Sequence, residues 1–162
     1  MNFQYFLPMA MNSMLVLMMC YGVWTRSRNW FLWPVCFWGF AIFINQSMYY
    51  FSTESVPFNP GEDPVSLLII GFCGLMQAIL AWPVKQYPTT GNQEGQNMVF
   101  KIAVSHIWMN IGFAILAFNM TSQMSETTST TFIGWTHVAA ACTFVWAWMQ
   151  LKNGANWKNV TQ

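Results

Sequence analysis

Two residues in this chain combine an apolar setting with chemistry of their own, His106 and His137. An imidazole within an apolar helix can ligate a metal, pass a proton or bond a neighbouring helix. A haem ligated by both is the sharpest chemical reading. Depth argues against it. With the surrounding apolar runs read as membrane helices, His106 falls roughly 10 Å from one edge of the bilayer core and His137 roughly 9 Å from the other, at 1.5 Å rise per residue. In a core about 30 Å thick the two then differ in depth by roughly 11 Å. One iron needs both ligands at one depth. The expectation is therefore that each histidine bonds a neighbouring helix and that the chain carries no cofactor.

Other polar side chains are spread over the apolar runs. His106 and Asn110 are spaced i, i+4 and share a helix face, with Ser105 beside them. Thr136 adjoins His137, Asn45 adjoins Gln46 and Ser47, Asn12 adjoins Ser13, and Gln77 stands alone. Uncharged polar groups in lipid hold helices together at about 1 kcal/mol each. The functional alternative is a polar path through Asn45, Gln77, His106, Asn110 and His137.

What is missing narrows the function further. No Asp, Glu or Arg falls in the middle of an apolar run, and Lys101 lies near the end of one. Ion-coupled transporters and voltage sensors place ionisable groups there, and a charge-selective pore needs a ring of them. The sequence holds no GxSxG, HExxH, P-loop or GxGxxG motif. Catalysis is not expected.

The elements that carry these residues follow from composition. The chain has 162 residues, of which 55% are hydrophobic and only 7% charged. A soluble domain carries about 25% charged residues, so lipid must be the solvent. One domain is expected at this length. The net charge of +1, with no basic cluster beyond Arg26 and Arg28, gives no support to nucleic acid as a partner, and none is expected.

A span needs about 20 helical residues, and runs at about 5–24, 30–51, 64–84, 98–118 and 131–151 meet that length. Lipid offers the backbone no partners, so these are predicted helices. The fold class is all-α, a bundle of five transmembrane helices in a single domain. The first run lacks a basic flank ahead of it and a cleavage site behind it, so it reads as a retained helix rather than a leader.

Orientation follows from the basic residues. Arg26, Arg28, Lys85, Lys101, Lys152 and Lys158 all fall on one side of the predicted membrane, and Glu54, Glu62, Asp63 and Glu126 fall in the alternate loops. Basic residues beside spans stay cytoplasmic. The N-terminus is thus predicted outside and the C-terminus inside, in a bacterial inner membrane.

The remaining composition speaks of packing. Small residues recur on the third, fourth and fifth runs: Gly71 and Gly74, then Gly112, Ala114 and Ala117, then Ala139, Ala140 and Ala141. They let backbones approach closely. Cys20, Cys36, Cys73 and Cys142 all lie in apolar runs and read as buried thiols. Met14, Met18, Trp33, Trp38, Trp146 and Trp148 are candidate contacts with partner subunits or with lipid. Two sequons, at Asn119 and Asn159, read as chance matches.

The leading expectation is a small non-catalytic subunit within a larger membrane assembly of secretion, conjugation or respiratory type, bound to other subunits or to its own copies. The alternatives are a pore or facilitator for a neutral or weakly charged solute, a haem-bearing anchor, and a membrane immunity or exclusion protein.

Overall fold

The computed structural model describes residues 3–51, 64–84, 93–121 and 127–157. They form five helices: α1 (Phe3–Thr25), α2 (Arg28–Phe51), α3 (Pro64–Val84), α4 (Gln93–Thr121) and α5 (Thr127–Lys152). No strand forms among the described residues. Two stretches, Val99–Asn119 and Thr131–Lys152, are long and apolar enough to cross a membrane. Met9–Thr25 and Leu68–Trp82 are apolar but shorter. The loops holding Glu54, Glu62, Asp63, Lys85 and Glu126, and the terminal Lys158, lie outside the described residues.

The helices form a ring in chain order. Each packs on its neighbours in sequence, and α5 returns to pack on α1. Paired positions fix the antiparallel run of the hairpins. Along α2 and α3, Trp33 meets Trp82 and Phe43 meets Phe72, while the Cys36 thiol donates to the Ala78 carbonyl at 3.7 Å. Between α1 and α5, the hydroxyl of Thr143 donates to Ala139 at 2.9 Å, so Cys20 is the donor in its 3.1 Å contact with Thr143.

Glycine sets the closest approach. A β-carbon on Gly39 would fall on the Gly74 carbonyl, and one on Gly74 would sit 2.8 Å from the Gly39 carbonyl. Gly22 likewise lies against the backbone of Phe31, which lets α1 and α2 fold sharply together. Gly74 belongs to the predicted small-residue surface. Gly112 does not behave as predicted, since nothing lies within 4 Å of where its β-carbon would stand. Ala139 also faces outward, while Ala114, Ala117, Ala140 and Ala141 are buried.

Two helix ends use the same device. At the end of α1, Ser27 N–H donates to Gly22 O at 2.8 Å and Arg26 N–H to Val23 O at 3.2 Å. At the end of α5, Ala155 N–H donates to Gln150 O at 2.9 Å and Gly154 N–H to Leu151 O at 3.0 Å. Both are Schellman closures, which need a left-handed residue just past the helix. Gly154 takes that role at φ 77° without strain, and Arg26 takes it at φ 54°. Ser27 then caps α2, its Oγ accepting from Trp30 N–H at 3.4 Å.

The closure after α5 turns the chain back under the bundle. Trp157 is fully buried, edge-on to Phe31 at 5.1 Å. Gln96 of α4 fixes it by donating to the Trp157 carbonyl at 3.2 Å and to Asn156 Oδ1 at 2.8 Å. Beyond Lys152, Trp157 belongs to the core and Ala155 packs against it, while Asn153, Gly154 and Asn156 stay exposed.

The cysteines need correction. Cys36 is buried and Cys20 partly so, but Cys73 and Cys142 are exposed. A thiol is weakly polar and serves on an apolar outer surface as well as inside.

Candidate functional site

The site grows from one turn of α4. The ring nitrogen Nδ1 of His106 lies 2.8 Å from the carbonyl oxygen of Ile102, a group that only accepts, so Nδ1 donates. Ser105 places its hydroxyl on the same carbonyl at 2.9 Å. One turn on, Asn110 gives its amide N–H to the His106 carbonyl at 2.8 Å. That bond turns the amide oxygen toward α5, where it accepts from His137 Nδ1 at 2.9 Å. Both imidazoles are thereby assigned the proton on Nδ1 and the lone pair on Nε2.

Aromatic rings clamp both histidines. Trp38 of α2 stacks on His137 with centroids 5.0 Å apart and planes 12° from parallel. Phe113 closes on His137 at 5.2 Å, and Phe144 on His106 at 4.9 Å. Gln77 reaches over from α3 and donates to Met109 Sδ at 2.8 Å. His106, Asn110, His137 and Gln77 are all buried.

These groups face one small cavity lined by Val35, Trp38, Ile42, Gln77, His106, Asn110, Phe113, His137 and Phe144. Its volume is about 10 Å³, room for about one water-sized sphere. A haem between the histidines would have to displace Trp38, Phe113 and Phe144 from this space.

The structure brings together four members of the predicted polar path and separates the fifth. Asn45 is exposed on α2. The two histidines lie closer in height than their expected depths imply. Asn110, level with His137, is one helical turn from His106, roughly 6 Å of rise. The apolar stretches, Val99–Asn119 and Thr131–Lys152, begin where the runs predict. The difference lies in how far α4 and α5 are offset along each other, which the Asn110–His137 bond fixes. His137 bonds a neighbouring helix as expected, whereas His106 bonds its own.

Among the candidate contact residues, Met14, Trp33 and Trp146 are exposed and Met18 is half-buried. Trp148 is partly buried against the core and carries Lys152 Nζ over its ring at 5.1 Å. Trp38 is inside, as the wall of the histidine cavity. Sequence reasoning missed that role, and also Met109 and Phe144. Met109 had a local signal, being the neighbour of Asn110. Phe144 had none.

Among the described residues no group of three or more His, Cys, Asp or Glu side chains could hold a metal ion. No protein-family model matches this chain, no curated protein matches it, and no solved structure matches it.

Proposed function

We propose that this chain is a five-span protein of a bacterial inner membrane, with its N-terminus outside, that serves as a non-catalytic subunit packed within a larger membrane assembly. The observation that carries the reading is the sidedness of its apolar groups. Large apolar side chains stand on the outside of every helix, among them Leu17, Met48, Phe72, Trp108 and Trp135, while His106, Asn110, His137 and Gln77 turn inward. An exposed apolar surface of this extent needs lipid or protein as its cover. The ring order supports an alternating path across the bilayer. Arg28 at the start of α2 and Lys152 at the end of α5 lie toward the same end, because Phe31 and Trp157 are in contact there. Met14, Trp33 and Trp146 supply adaptable and aromatic contact area on that outer surface.

The test is purification of tagged protein in mild detergent, with mass spectrometry of what co-elutes and an absorption spectrum of the same fraction. Stoichiometric partner subunits support the reading. A homo-oligomer without partners overturns it, and a Soret band would assign the histidines to haem.

A second reading has its own observation. Gln77, His106, Asn110 and His137 converge on one cavity, which favours a facilitator for a small neutral solute. Replacing His106 and Asn110 together by Leu would then abolish solute flux into vesicles while leaving assembly intact.

A further inference from the structure

The two nitrogens of His106 have unequal fates. Nδ1 is committed to the Ile102 carbonyl at 2.8 Å. Nε2 is buried and has no hydrogen-bond partner within the protein, on a side chain only 2% exposed. With the proton on Nδ1, Nε2 carries a lone pair. A buried acceptor left unmet is unfavourable, so a donor is wanted at that atom.

The surroundings describe the donor. The cavity that His106 lines has a volume of about 10 Å³, enough for a single heavy atom of water's size. A buried water needs two to four polar partners, and His106, Asn110, His137 and Gln77 all line the space. The Asn110 amide nitrogen spends one hydrogen on the His106 carbonyl and has a second to give. No acidic side chain lines the cavity, so nothing there balances a cation. A larger solute meets Val35, which is also part of the wall.

We infer that this cavity is a binding site for one neutral O–H or N–H donor with a single heavy atom, water or ammonia, which hydrogen-bonds His106 Nε2. The molecule bridges α4 to the polar groups of α3 and α5 and completes the network that Asn110 begins. This goes beyond the subunit reading and does not depend on it, since a subunit and a facilitator would both hold the same guest.

The experiment is nuclear magnetic resonance of the full chain in lipid nanodiscs with 15N-labelled histidine, the His106 signals being assigned by their loss in His106→Gln. The expected result is an unprotonated Nε2 displaced from the free lone-pair position, with a cross-peak to water protons. A cross-peak that arises only on adding 15N-ammonium at alkaline pH supports the site and names ammonia. In Val35→Leu, whose added bulk fills the cavity without touching the histidines' Nδ1 bonds, the cross-peak should vanish while Nδ1 keeps its proton. A free lone-pair signal without any cross-peak, a proton on Nε2, or a signal that moves only on adding zinc would each overturn the inference. Should His106→Gln fail to fold, Val35→Leu still decides it.

Discussion

His137 on α5 and Asn110 on α4 are joined by a 2.9 Å bond from Nδ1 to Oδ1, and the same amide holds the His106 carbonyl at 2.8 Å. Among the described residues, Asn110 is thus the one side chain bonded to both histidine residues. Asn110→Leu leaves a buried imidazole N–H without an acceptor, at a cost of about 1–3 kcal/mol. Asn45→Leu, at an exposed site, should shift stability by less than about 0.5 kcal/mol. Unfolding in mild detergent compares the two, and equal losses would contradict the network.

The crossing of α2 and α3 rests on Gly39 and Gly74. Gly39→Ala puts a methyl group into the opposing backbone and should cost about 1–3 kcal/mol or more. Gly112→Ala meets open space and should gain up to about 1 kcal/mol from helix propensity. Melting curves of the two variants should move in opposite directions.

The paired Schellman closures make a second contrast. Arg26 adopts a left-handed backbone at φ 54°, a conformation that costs a side-chain-bearing residue about 1–2 kcal/mol. Arg26→Gly should relieve part of that and raise the melting temperature. Gly154→Val should lower it, because a β-branched residue at φ 77° is strained.

Trp157 is fully buried at the end of the described chain. Trp157→Ala should cost about 3–5 kcal/mol, the usual loss for a large core aromatic. Gln96→Ala removes the two bonds that fix the segment and should free it for proteolysis near residue 155. Protease resistance matching that of the unaltered protein would show that those bonds do not hold it.

Cys73 and Cys142 face outward from α3 and α5. With lipid against those faces, both should resist a charged maleimide in intact membranes and react after denaturation in detergent. Labelling of either in intact membranes would place that face against water and sink the five-span reading.

Helix positions are legible in this sequence because each long, nearly uncharged apolar run between polar breaks does form a helix. The side that each residue faces is not legible. In a soluble helix, polar residues mark the outer face, but here the runs are apolar all round. Trp33 and Trp38 are the same residue type on one helix, yet one is exposed and the other lines the histidine cavity. The cluster itself was half visible. His106 and Asn110 announce a shared face by their spacing, while the match to His137 depends on how α4 and α5 slide along each other, which no local pattern encodes. The inward turn of Trp157 depends on a glycine closure followed by a tertiary contact, and no local pattern around it signals either.

The ring of helices is not equally tight around its circumference. α3 and α4 share the thinnest contact of the five adjacent pairs, and the 2.8 Å Gln77–Met109 bond is part of that contact. An amide donating to a thioether is a weak latch. Local opening begins where few apolar contacts must be given up, so the seam between α3 and α4 is where the bundle would part first. Parting there would uncover the histidine cavity sideways, between two helices, without unwinding either. The polar centre is thus least enclosed on the flank where packing is thinnest.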